Sequence, residues 1–135
     1  MFSVDEHGHE HTIRFALESW WLADTESYNS LTPSRFNIEL TEDTDLLVIS
    51  VADAYDLIDK SRHFDRTIKA MDKQSAITAQ KRLHAAISMS AEERYADLID
   101  TYPQFLQRFP QVLIASYLGL SPETLSRIRK NMARK

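Results

Sequence analysis

The chain has no cysteine, so disulfides, zinc–thiolate sites, iron–sulfur clusters and a thiol nucleophile are all excluded. It also lacks any apolar run long enough to span a bilayer, and the opening MFSVDEHGHEH has neither the basic start nor the apolar segment of a signal peptide. A cytoplasmic protein with no membrane partner is expected. Glycine occurs only twice, at Gly8 and Gly119, and each marks a turn. Positive charge is in deficit: the net charge of -4 argues against a protein that coats nucleic acid indiscriminately, because that affinity grows with the number of phosphates neutralised. The distribution of charge says more than its sum. Acid gathers in the first hundred residues and base at the C-terminus, so any contact with DNA falls to that end.

What is present is 135 residues of 43% hydrophobic content, room for one domain or two small ones sharing a core. The pattern is α+β, with no internal repeat and no low-complexity segment. Residues 1–49 read as β-rich. Asp5 to Glu10 is a polar cluster around Gly8, a hairpin signal, and Ile13, Phe15 and Leu17 then alternate with Thr12, Arg14 and Ala16 as in a half-buried strand. Phe36, Ile38 and Leu40 alternate likewise after Pro33, and Leu46 to Ile49 suits a short buried strand; Ser19 to Pro33, with Trp20 and Trp21, reads as irregular. Ser50 with Asp53 starts a short helix whose apolar side is Tyr55, Leu57 and Ile58. Phe64 to Met89 predicts a helix of several turns, one face packing on the β part and a second small or apolar stripe available to a partner subunit. Ser90-Ala91-Glu92-Glu93 is a capping box opening a helix with Tyr95, Leu98, Ile99 and Tyr102 inward, ended by Pro103. Phe105, Leu106 and Phe109 fill a connector closed by Pro110.

Gln111 to Lys135, QVLIASYLGLSPETLSRIRKNMARK, reads as a helix-turn-helix. Leu113, Ile114, Tyr117 and Leu118 are the apolar positions of its first helix, small Ala115 allows close approach, and Gly119 ends it in the left-handed conformation. Ser121 caps the second helix, Pro122 takes its first position and Glu123 its first turn, while Leu125, Ile128 and Met132 pack back. Glu123, Ser126, Arg127 and Lys130 then share the outward face, and from Arg127 onward there are five basic residues and no acidic one. Arginine reads guanine in a bidentate way and glutamate accepts from cytosine; Ser121, Thr124 and Lys130 suit phosphate oxygens. An ordinary helical hairpin with a solvated basic tail is the alternative, but the small residue, the glycine, the Ser-Pro-Glu start and the basic face all in register favour double-stranded DNA as the partner.

His7, His9 and His11 alternate and could converge on a metal from one strand face. Gly8 places the turn within the cluster and splays the rings, so a polar hairpin tip is expected, with no metal. No nucleophile, base and orienting group are gathered by spacing, and no enzymatic activity is expected.

The order of these segments resembles the Crp/Fnr family of bacterial transcription regulators over essentially the whole chain. The likeness is carried by DEHGHEHTIRFAL, SRFNIEL and DLLVIS for strands of a β-roll, and by LSAEERYADLIDTYPQFLQRFP with IASYLGLSPETLSRIRK for the DNA-binding part. It is similar above all to a branch common in Bacteroidetes. The resemblance implies a partial cyclic-nucleotide-binding-like β-roll over 1–63, a long connecting and dimerisation helix over 64–89, and a helix-turn-helix domain over 90–135. It also implies a homodimer on a near-palindromic operator, RNA polymerase as a further partner, and base reading by a Glu and an Arg four residues later, here Glu123 and Arg127. Pro122 stands where the family often has Arg, so one base contact is expected to be absent.

In the sensor half, the family's Gly-Glu pair is replaced near Trp20-Trp21-Leu22-Ala23-Asp24, and Arg35 is followed by Phe36 rather than Ser or Thr. Arg35 alone matches a phosphate contact, so no cyclic nucleotide or other cofactor is expected and the effector site is degenerate or takes an unidentified ligand. Family members place a helix and several roll strands before the hairpin that here starts at Asp5, which implies a truncated roll with apolar edges exposed. The function implied is sequence-specific transcription regulation; the alternative is a truncated member that dimerises and interacts without binding DNA specifically.

Overall fold

The polar cluster after Val4 is a hairpin turn in the computed structural model, which describes residues 1–133. Gly8 takes φ +82°, its N–H donates to the Asp5 carbonyl, and the Asp5 N–H donates to the His9 carbonyl, each at 3.0 Å. The turn joins β1 (Phe2–Val4) to β2 (Glu10–Thr12), antiparallel with Phe2 opposite Thr12 and Val4 opposite Glu10. β3 (Phe36–Asn37) pairs antiparallel with the other side of β1, giving the order β2-β1-β3. Among the described residues the architecture is α+β, this small sheet and seven helices.

The sheet is much smaller than the sequence pattern predicts. The strand expected over Thr12 to Leu17 stops at Thr12, because Phe15 turns away into the helical core, where it is 5% exposed. Ile38 and Leu40 do not extend β3, and Leu46 to Ile49 has strand composition without a strand: Leu47 and Val48 are 102% and 89% exposed. A strand is a pairing, not a composition, and the eight-residue sheet offers these segments no ladder. In the stretch expected to be irregular, Asp24 caps α1 (Thr25–Ser30) by accepting from the N–H groups of Glu26 and Ser27.

The helices that begin at Val51, Ala91, Gln111 and Pro122 start where the sequence signals them, whereas the long helix starts two residues before Phe64 and the connector before Pro110 contains a helical turn. Ser50 accepts from the Asp53 N–H at the head of α2 (Val51–Lys60); Ala54, rather than Tyr55, Leu57 and Ile58, is its buried residue. Ser61 caps α3 (Arg62–Ser88), 27 residues and about 40 Å long at 1.5 Å per residue. Both halves of the capping box form at α4 (Ala91–Thr101): Glu93 N–H to Ser90 Oγ, and Ser90 N–H to the Glu93 carboxylate. A single turn, α5 (Phe105–Arg108), leads to α6 (Gln111–Leu118) and α7 (Pro122–Met132).

The core belongs to the C-terminal helices. Tyr95, Leu98, Phe105, Ile114, Ala115, Leu125 and Ile128 form it, and Phe15 is the one fully buried residue of the first ninety that joins them. Its ring stacks on Phe109 at 4.0 Å between centroids and meets Phe105 edge-on at 5.1 Å. Phe105 is 1% exposed, and truncating such a side chain typically costs about 3–5 kcal/mol.

Polar bonds fasten the sheet to this core. The buried Thr12 N–H donates to Ser116 Oγ on α6 at 2.8 Å, and that hydroxyl donates to the Glu10 carbonyl at 3.3 Å. One serine therefore covers the outer edge of β2. Ser116→Ala should leave the Thr12 N–H buried and unpaired and lower stability by about 1–3 kcal/mol, read from the urea midpoint. An unchanged midpoint would show that this bond contributes nothing.

Candidate nucleic-acid interface

Two short helices meet at Gly119, and the turn has one solution. Gly119 sits at φ +68°, its N–H donating to the Ser116 carbonyl at 3.0 Å while the Leu120 N–H reaches the Ala115 carbonyl at 2.9 Å, the Schellman pattern of a helix end. A Cβ built at Gly119 would meet nothing within 4 Å, so backbone conformation alone demands the glycine there. Ala115 has no exposed surface, as close approach of the helices requires. Ser121 accepts from the Thr124 N–H to start α7, with Pro122 at its first position. These assignments coincide with the sequence reading of both helices.

Packing decides which face is left over. Leu125 and Ile128 are 1% and 3% exposed and Met132 is half-buried, so the opposite face carries Glu123, Ser126, Arg127 and Lys130 into solvent. Among the described residues no carboxylate forms an ion pair with Arg127, Arg129 or Lys130. Arg134 and Lys135, the last of the basic run, lie outside the described residues. Glu123 is held below the usual carboxylate range by its own N–H and by Ser121, which keeps it an acceptor. Thr124 is half-buried, and Ser121 donates its hydroxyl proton to Thr124 Oγ1, so these two are partly committed to the cap. An open groove of about 480 Å³ flanks the face between Tyr95 and Ile99 of α4 and Ser126, Arg129 and Lys130 of α7.

Arg35 is not gathered into this site or into a pocket. Its guanidinium is exposed and donates to Glu26 at 3.1 Å, an ordinary surface pair. The histidines do find an acidic partner, which spacing did not reveal: Asp5 Oδ2 lies 2.9 Å from His11 Nε2 and 3.3 Å from His9 Nδ1, while Oδ1 accepts from the N–H groups of His7 and His9. Among the described residues no group of three His, Asp or Glu side chains is placed to hold a metal ion.

Two further residues shape the site without touching its face. Arg82 of α3 donates to the Ile13 carbonyl and, at 3.1 Å, to the Tyr117 carbonyl of α6, with its guanidinium 4.0 Å over the Tyr117 ring. Ser116 holds the sheet to the same helix. The signal for Arg82 lies in α3's row of half-buried positions, Phe64, Ile68, Met71, Ser75, Thr78, Arg82, Ala85 and Met89, spaced by threes and fours. An arginine on a covered row requires acceptors.

No protein-family model matches the chain, and neither the curated proteins nor the solved structures contain a match. The site is therefore argued from its own geometry.

The Asp5 carboxyl is held below its ordinary value of 3.8, first by the His11 bond and then by the His9 N–H. A depressed folded value means its contribution is present above the ordinary value and lost as pH falls through the lowered one. Amide shifts of Gly8 and His9 should move in that acid window and cease to do so in Asp5→Asn; titration at an ordinary carboxylate value would contradict the arrangement.

Proposed function

We propose that the chain is a dimeric, sequence-specific DNA-binding regulator in which α7 enters the major groove. The observation that carries this reading is the α7 face itself. A glycine-turned pair of helices buries one side of α7 and leaves Glu123, Ser126, Arg127 and Lys130 projecting, with no ion-pair partner among the described residues. Arg127 would read a guanine edge, Glu123 would accept from a cytosine amino group, and Lys130 with the Thr124 hydroxyl would contact phosphate. The capped N-terminus of α7 adds a partial positive charge where the backbone of DNA would pass.

Dimerisation is assigned to α3. Away from its covered row, Leu83 and Ile87 are 63% and 76% exposed beside exposed Ala76, Ala79 and Ala86. A two-fold pair of these helices would place two copies of α7 on one side of the assembly, with half-sites roughly 34 Å apart. The same exposed stripe also favours the second reading, a dimerising interaction protein without specific DNA binding, since it owes nothing to α7.

Arg127→Ala should reduce discrimination between a selected site and a scrambled duplex by about 1–3 kcal/mol in anisotropy titrations. Equal loss on both duplexes would reduce Arg127 to a phosphate contact. Leu83→Ser with Ile87→Ser should convert a dimer to a monomer in sedimentation equilibrium, with a lower thermal midpoint that no longer rises with protein concentration, because both side chains are exposed in the single chain and would be covered only in the dimer. A wild-type monomer, or an unchanged dimer in the double variant, would contradict the α3 assignment.

A further inference from the structure

The most exposed apolar stretch of the chain lies far from α7. Ile38, Leu40, Leu46, Leu47 and Val48 are between 49% and 102% exposed within residues 38–48. Ile38, Leu40, Leu46 and Leu47 line a groove of about 870 Å³ together with Trp21, Met71, Phe109 and Leu113. Such a volume lies within the range of ligand-binding clefts. β3, at the head of this stretch, is an edge strand with only β1 beside it, and Ser34 Oγ accepts from the Phe36 N–H at 3.0 Å and donates to the Phe36 carbonyl at 3.2 Å.

Charge identifies the occupant. Residues 36–59 contain no lysine and no arginine. Glu39, Asp43 and Asp45 line the groove, and no side-chain cation pairs with them among the described residues. The two arginines that do line it are already engaged: Arg108 is clamped by Glu18 and Glu42, which hold its guanidinium charged, and Arg14 donates to Ser75 Oγ at 2.6 Å. With the Met1 ammonium counted, six carboxylates (Glu10, Glu18, Glu39, Glu42, Asp43 and Asp45) line the groove against three cations, so its net charge is negative and an anionic amphiphile would meet net repulsion.

We propose that this groove docks a basic amphipathic segment of a partner protein, bound in extended form. A strand alternates its side chains, so apolar residues would enter the groove while the intervening Lys or Arg side chains reach Glu39, Asp43 and Asp45. The apolar lining would supply affinity, and the acidic side chains would supply the choice of partner. This surface is separate from the α7 face and stands whether or not the chain binds DNA.

The test uses the full chain and three labelled eight-residue peptides: alternating Lys and Ile, alternating Glu and Ile, and alternating Lys and Ser. The Lys/Ile peptide should bind saturably in fluorescence anisotropy, and the other two at least about tenfold more weakly. Ile38→Ser with Leu47→Ser, and separately Asp43→Lys with Asp45→Lys, should each weaken it by about tenfold, whereas Arg127→Ala should leave it unchanged. All four side chains are exposed, so an unchanged thermal midpoint verifies that the variants fold. Equal binding of the Glu/Ile peptide, or indifference to both double variants, would overturn the proposal. Self-association of the protein alone that Ile38→Ser with Leu47→Ser abolishes would also overturn it, making the occupant a second copy.

Discussion

At Arg82 the long helix, the chain just beyond the hairpin and the helix-turn-helix meet. None of the 27 residues of α3 is fully buried, so apolar packing alone holds it loosely, and the attachment is polar. The guanidinium donates to a carbonyl just beyond β2 and to one on α6, and it covers the Tyr117 ring. Hydrogen bonds from a charged donor contribute more than neutral ones, and a cation over an aromatic face adds to them when the pair is partly desolvated. Burial raises the Tyr117 hydroxyl above its ordinary value and the nearby Arg82 charge opposes that rise, which places both groups in one desolvated contact. Arg14 to Ser75 is a second tie between α3 and the chain that leaves the sheet. In the proposed dimer, any change in how two copies of α3 meet would reach α6 and the turn at Gly119 through these fixed points.

Two halves of the chain solve the burial problem differently. The C-terminal helices bury their apolar faces against one another, and the surface left over on α7 is mainly basic. The N-terminal half contributes Phe15, with half-buried Leu17 beside it, to that core and leaves Ile38, Leu40, Leu46, Leu47 and Val48 at the surface, among acids. Apolar surface left in water is a cost that folding ordinarily removes, and a concentrated patch of it marks a place where something else packs. The proposed partner on α3 and the proposed peptide in the groove answer that constraint at two separate patches.

The helix-turn-helix was legible in the sequence because every determinant of it is local. Gly119, Ser121, Pro122 and the spacing of Leu125 and Ile128 act within one or two turns, and both helices begin and end where those residues place them. The capping box at Ser90 and the caps at Ser50 and Ser61 are local for the same reason. Strands depend on distant partners, so the alternation at Ile38 and Leu40 and the apolar run at Leu46 to Ile49 indicated strand-forming composition without any neighbour to pair with. Of the candidate site, the outward face of α7 was legible from periodicity. The pairing of Ser116 with Thr12, separated by 104 residues, and the grip of Arg82 on Ile13 and Tyr117 were not, because only tertiary structure brings them together. Asp5 was within reach of inspection, yet its role needs the turn at Gly8 to aim two histidines at one oxygen.

The most direct test of the central claim is selection from a random duplex pool by the purified chain at near-physiological salt, followed by sequencing of the retained DNA. The account predicts an enriched near-palindrome with half-sites about one helical turn apart, each containing the guanine and cytosine that Arg127 and Glu123 would read. Weak retention without sequence preference, falling steeply with salt, would contradict it and leave a basic C-terminus with no reading function.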